Sequence, residues 1–193
     1  MPDKILVGCE YFAGWWEPLP NKWNVGGIDW RTKYPERIPL LGEYNTQETM
    51  NKEILAAADY GVDFFCILWY FNEDREREPH ARKLNNGVND FINSPNAKKM
   101  QFMVEYCNHP PYEVTTDEQW EQCLQAWMPA FQHPSYLRVG GKLVFKIHGA
   151  GYFWQQNGQD LARCQRQLNT LRQAVRAAGL GEMVICSGVM AQD

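Results

Sequence analysis

The residues able to do chemistry gather at the ends of four apolar runs. Residues 5–12 end in Glu10-Tyr11-Phe12 and lead into Ala13-Gly14-Trp15-Trp16. Residues 62–70 end in Trp69-Tyr70. Residues 100–107 carry Glu105-Tyr106-Cys107 and are followed by Asn108-His109, and residues 143–148 end in Lys146-Ile147-His148. An ionised group inside an apolar strand is costly without a partner. Glu105 therefore reads as a site residue, and Lys146 must reach a polar mouth or pair with a carboxylate such as Glu105. Glycoside cleavage uses two carboxyl groups that flank the scissile bond, and Glu10 and Glu105 are the pair available here. Tyr11, Trp15, Trp16, Trp69 and Tyr70 offer faces for sugar C–H surfaces. Asn108, His109, Lys146 and His148 offer hydrogen bonds to hydroxyls. A concave site with apolar walls and a few placed polar groups suits a small ligand, and carbohydrate is the class these side chains fit. Glu10 and Glu105 are expected to be catalytic, and the other nine to bind substrate.

Plainer roles compete with some of these. Trp69, inside a strand, serves a core as readily as a sugar platform. His109 and His148 have no evident third ligand and read as hydrogen-bonded histidines, so no metal and no cofactor are expected. The mixed-charge run at residues 73–78 reads as a solvated loop.

These strand ends need elements to position them. The apolar runs, with a fifth at residues 183–187, suit strands covered on both faces, as in a parallel sheet. Between them the sequence predicts helices. Asn45 and Glu48 resemble a capping box for a helix ending at Gly61. A weaker helix spans residues 86–93. Thr116 and Gln119 form a second capping box before a helix that Pro129 would kink or end. A long helix over residues 159–178 places Leu161, Cys164, Leu168, Leu171 and Val175 on one face. Alternation of strands and helices implies βαβ units. No Gly-x-Gly-x-x-Gly and no phosphate-binding loop is present, which favours a (β/α) TIM-type barrel over a nucleotide-binding open sheet. The segments after strands are long (residues 13–44, 71–83 and 108–115), and a barrel carries function at the C-terminal ends of its strands. A full barrel takes about 250 residues. Residues 1–193 are expected to form a single domain, the N-terminal portion of a barrel with about five βα units.

The 193 residues carry 45% hydrophobic and 22% charged side chains and a net charge of −4, the profile of a globular domain with a core. No basic cluster points to nucleic acid, and no apolar run approaches the ~20 residues of a membrane helix. The N-terminus lacks the pattern of a signal peptide. Six cysteines without a Cys-x-x-Cys pair read as buried free thiols, which suits a reducing, cytoplasmic compartment. Four of the eight tryptophans (Trp15, Trp16, Trp23, Trp30) fall in one loop-like stretch.

Four ordered segments resemble a known family: Tyr11-Phe12-Ala13-Gly14-Trp15-Trp16, Pro39-Leu40-Leu41-Gly42-Glu43-Tyr44, residues 57–65 (Ala-Ala-Asp-Tyr-Gly-Val-Asp-Phe-Phe) and Trp69-Tyr70. They are similar to the N-terminal half of WbsX-like proteins, encoded in bacterial polysaccharide loci, which resemble glycoside hydrolase family 99, the endo-α-mannosidases. The resemblance is strongest over residues 5–70. It implies a (β/α) barrel acting on oligosaccharide or polysaccharide, with Tyr11, Trp15, Trp16, Trp69 and Tyr70 lining the sugar site. The parent reaction it implies is endo-acting, retaining glycoside hydrolysis. The alternatives are glycosyl transfer in polysaccharide assembly and a non-catalytic, glycan-binding half-barrel. That family's catalytic glutamates lie late in the barrel, in an Asn-Glu-Trp segment absent here, so the resemblance implies a missing C-terminal half. An incomplete barrel exposes strand edges, so a homo-oligomer or a missing half is the expected partner.

Overall fold

The structure is a computed structural model that describes residues 5–188 except 18, 20, 43 and 72–77, with backbone alone over 78–82. Five strands run parallel: β1 (Gly8–Tyr11), β4 (Phe64–Trp69), β5 (Gln101–Tyr106), β7 (Lys142–Ile147) and β8 (Met183–Ser187). Each lies beside its predecessor in the chain. The short β6 (Arg138–Val139) turns back antiparallel onto β7. A two-stranded hairpin, β2 (Asn24–Val25) with β3 (Ile28–Asp29), occupies the long segment after β1. The connecting helices are α1 (Gln47–Asp59), α2 (Glu78–Ile92), α3 (Asp117–Phe131), α4 (Ala150–Gln156) and α5 (Leu161–Ala177).

The fold is thus mixed α/β with a parallel sheet. Of the expected incomplete (β/α) barrel, the parallel sheet with its connecting helices is present, and the curvature of a barrel is not established. Among the described residues β1 and β8 do not pair with each other, and the sheet is open. Four strands are each followed by helix, and β8 is the last element described.

Parallel neighbours need a crossover, and crossovers are right-handed in nearly all cases. With strands added in one direction, the helices therefore collect on one face. Phe65, Ile67 and Trp69 of β4, Phe102, Val104 and Tyr106 of β5, and Leu143, Phe145 and Ile147 of β7 point to that face and are buried. Phe65 meets Phe91 of α2, and Phe145 meets Trp127 and Phe131 of α3. The opposite face carries the intervening residues, among them Glu10, Cys66, Leu68, Glu105, Lys146 and Cys186. Alternation along each strand separates an apolar face from the polar one.

Local differences from the sequence reading have physical reasons. The cap of α1 is Thr46, whose hydroxyl accepts from the Thr49 N–H. Asn45 instead ties segments together. Its amide donates to the carbonyls of Ala13 and Lys83, and its Oδ1 accepts from Asn86. The Thr116–Gln119 capping box forms, and α3 runs through Pro129 to Phe131. The single long helix expected at 159–178 begins at Leu161, capped by Asp160, and is preceded by the unforeseen α4. Leu161 is exposed, whereas Cys164, Leu171 and Val175 are buried. The helix expected at 86–93 starts earlier, at Glu78; of the charged run at 73–78, residues 73–77 lie outside the described residues. Of the six free cysteines, four are buried, but Cys9 and Cys186 are exposed. Both exposed thiols sit on the two strands that flank the sheet, where a neighbour on only one side leaves them open.

Candidate active site

At the C-terminal ends of the strands the polar face becomes a charged network. β5 and β7 are in register with Glu105 opposite Lys146. The Lys146 ammonium donates to Glu10 Oε1 at 2.6 Å and pairs with Glu105 Oε2 at 2.9 Å. The other oxygen of Glu105 lies 2.7 Å from His148 Nδ1. The Cys66 thiol donates to Glu105 Oε2 at 3.1 Å. Glu105 has no exposed surface, while the Glu10 side chain is 61% exposed. The hydrogen bond from Lys146 holds Glu10 below the usual carboxylate range. Partial burial pulls Lys146 down, but its bonds to Glu10 and Glu105 outweigh that and raise it above an ordinary lysine. Glu10 is therefore the ionised group that faces outward, and Glu105 is the buried anchor for Lys146 and His148.

Beside Glu10 opens a cleft of about 390 Å³, lined by Tyr11, Phe12, Trp15, Trp23, Trp30, Pro39, Tyr44 and Glu53. The segment between β1 and α1 builds its walls. Trp15 and Trp30 flank Trp23 with ring centroids at 4.7 and 5.6 Å. Arg31 lies over Trp23 at 4.6 Å and is itself held by Glu17 and Asp29. Trp23 is buried, yet its indole N–H has no partner among the described residues. A buried unpaired donor is costly.

Glu53 is a cleft residue that the sequence reading passed over. The Tyr11 hydroxyl donates to Glu53 Oε2 at 2.6 Å. Burial pushes the Glu53 carboxyl up to about 7, partly offset by the bond from Tyr11. The signal was present: Glu53 stands three after Met50 and one before Ile54, on the buried stripe of α1. A folded-state value above the unfolded one favours the protonated form, so stability is full below about pH 4.5 and is lost as pH rises through about 7. The loss, discounted for the partial exposure of the carboxyl, is about 1–2 kcal/mol. Glu53→Gln should flatten the difference in urea midpoint between pH 5 and pH 8. An unchanged difference would remove Glu53 as its source.

The structure unites some expected residues and separates others. Glu10, Glu105, Lys146 and His148 share one network. Tyr11 and Trp15 line the cleft that Glu10 also lines. His109 stands at the margin, its ring 5.9 Å from His148 and its Nδ1 2.8 Å from the Pro110 carbonyl. Trp69 sits instead on the helix-covered face, against Trp127 at 5.2 Å and Tyr106 at 6.2 Å. Strand alternation turns it into the core. Trp16 and Tyr70 are buried in a small cluster with Leu84 and Cys107. Asn108 is fully buried, and its amide clamps Gly149, donating to the carbonyl at 3.0 Å and accepting from the N–H at 2.9 Å. Both ends of that amide are spent on joining the β5 and β7 loops. No helix among the described residues is long and apolar enough to cross a membrane.

No family model matches the chain, and no curated protein matches it. A solved structure described as a "Glycoside hydrolase-like protein" is similar in fold. It shares 22% identity with a TM-score of 0.53, over 94% of this chain and 51% of the other. The chain thus spans about half the length of that structure. The likeness carries the fold alone, a mixed α/β architecture with a parallel sheet.

Proposed function

We propose that this chain binds glycan at the mouth of its parallel sheet and forms part of a glycoside hydrolase-like enzyme. The observation that carries the reading is the aromatic cleft with Glu10 at its wall. Tryptophan faces pack against sugar C–H surfaces, and Glu10 and Glu53 supply hydroxyl partners. The resemblance to WbsX-like and family 99 proteins and the distant glycoside hydrolase-like neighbour support the same class. The sequential strand order supports the first part of a (β/α) barrel, with β1 and β8 as edges that further strands, or a second copy, would cover.

Hydrolysis within this chain would need Glu10 at the substrate and Glu105, which has no exposed surface, uncovered to meet it. Their oxygens are bonded to one ammonium at 2.6 and 2.9 Å, so they stand no farther apart than the ~5–5.5 Å of a retaining pair. Glu10, exposed and ionised, would meet the ligand. A binding-only reading draws on the same network, because Lys146 engages both carboxylates.

The test has two arms. Incubation with α-mannans and bacterial surface polysaccharides should yield binding, read by calorimetry, and new reducing ends if both carboxylates act. Trp15→Ala should weaken binding about tenfold, the ~1.4 kcal/mol expected of one aromatic contact. Binding without reducing ends would support the non-catalytic reading. No binding to any of these glycans by a folded chain, or binding indifferent to Trp15, would overturn the cleft as the sugar site.

A further inference from the structure

The mouth of the sheet holds a donor set that neither the glycan reading nor the charged network uses fully. Glu105 and Cys107 stand two residues apart at the end of β5 and so project to the same face. Lys146 lies opposite Glu105, and His148, two residues further on, follows on that same face of β7. The His148 N–H donates to the Tyr106 carbonyl, which continues the ladder one step past the strand ends. A carboxylate oxygen of Glu105, Sγ of Cys107 and a ring nitrogen of His148 all lie within 4.8 Å of one another. Glu105 and Cys107 are buried, and His148 is half-buried.

We propose that Glu105, Cys107 and His148 form a binding site for a thiophilic divalent cation of the zinc type. Thiolate, imidazole and carboxylate together are a zinc donor set, with bonds of ~2.0–2.3 Å. Three atoms within 4.8 Å of one another converge on such an ion with small side-chain rotations. Three protein ligands leave a fourth position for water or a ligand hydroxyl. The competing cation, Lys146, does not obstruct this, because it sits on Oε2, whereas His148 faces Oε1. The ion takes the place of the direct contact between Oε1 and His148 Nδ1. Lys146 and Cys66 then hold Oε2 and orient the ligating carboxylate from behind, as outer partners of metal ligands do. Charge also balances. Glu10 and Glu105 against Lys146 leave one excess negative charge, and binding a divalent ion with Cys107 as thiolate brings the group to neutrality.

The test uses the full chain stripped by chelator, in a Cys9→Ser/Cys186→Ser background that removes the two exposed thiols. Calorimetry with zinc should show one equivalent bound, and cobalt(II) should show a thiolate-to-cobalt charge-transfer band. Cys107→Ser should abolish that band and weaken zinc at least tenfold. His148→Gln should weaken zinc at least tenfold, since losing a ligand costs no less than losing one of its outer partners, and it should also remove the rise in melting temperature that zinc gives the parent. Circular dichroism of the zinc-free variants checks folding; if Cys107→Ser does not fold, the His148→Gln comparison decides. Absence of a one-equivalent site, a band that survives Cys107→Ser, or affinity indifferent to His148 would overturn the proposal. Such a failure leaves the glycan reading standing, since that is read from sugar binding through Trp15.

Discussion

Lys146→Met is expected to lower the free energy of unfolding by about 3 kcal/mol, toward the lower end of the ~3–5 kcal/mol typical when one member of a buried pair is removed. The size follows from Glu105, which has no exposed surface and keeps Lys146 2.9 Å from one oxygen. Methionine matches the stem of lysine but leaves that oxygen with only the weak thiol donor of Cys66. His148 still holds the other oxygen at 2.7 Å, which moderates the loss. Glu10, mostly exposed, loses a partner that water replaces, so Glu10→Gln should cost less than about 1 kcal/mol. Adding Glu105→Gln to Lys146→Met should recover part of the loss, because the unpaired charge is gone. Urea titration of the parent, Lys146→Met, Glu105→Gln and the double variant gives the coupling directly. A loss below about 1 kcal/mol for Lys146→Met would mean that Glu105 is not held as a buried charge.

Trp127→Ala has the second large expected effect, about 3–5 kcal/mol. Trp127 lies on α3 and is 1% exposed. Its ring contacts Trp69 at 5.2 Å, Trp120 at 5.4 Å, Tyr106 at 5.6 Å and Phe145 at 4.7 Å. These rings come from β4, β5, β7 and α3 itself, so truncation opens a cavity at the point where three strands meet the helix layer. Rigid aromatic neighbours cannot collapse into it, which keeps the cost near the upper end. Trp154, 39% exposed on α4, is the contrast. Its truncation should change stability by no more than about 0.5 kcal/mol. Thermal and urea unfolding of the two variants side by side check the ranking, and similar losses in both would show that ring count, not burial, governs the effect.

The two aromatic groups also show where sequence reading reaches its limit. Trp69, inside its strand, was open to a core or a platform role, whereas Trp15 lies beyond its strand in a loop. Strand alternation decides the side that Trp69 faces. In β4, Phe65, Ile67 and Trp69 share the helix-facing side, and Cys66 and Leu68 share the other. An all-apolar run hides which parity faces the helices, so Trp69 could not be assigned from its neighbours. Glu105 was legible because a charge in an apolar strand stands out. Its partner Lys146 was legible for the same reason, one strand later. Asn108 was not placed by its sequence neighbours, because an amide at a strand end serves a ligand or a loop equally well, and its bonds to Gly149 come from tertiary structure. Asn45 was displaced from its cap by Thr46 because both residues can cap, and the tertiary contacts to Ala13, Lys83 and Asn86 claimed the amide.

The sequence by itself determined the alternation of strands and helices, the five parallel strands, the capping of α3 and the concentration of charge and aromatic rings at the strand ends. Those features rest on local chemistry: apolar period, hydroxyl and amide caps, and the cost of a charge in an apolar run. Tertiary structure alone decided which side of the sheet each ring faces and that Glu10, Glu105, Lys146 and His148 form one network. It also decided that Glu53 lines the aromatic cleft and that, among the described residues, β1 and β8 do not pair. These depend on register between strands and on contacts between residues far apart in the chain, such as Glu10 with Lys146. No local pattern encodes that distance, because it is set only when the whole core packs.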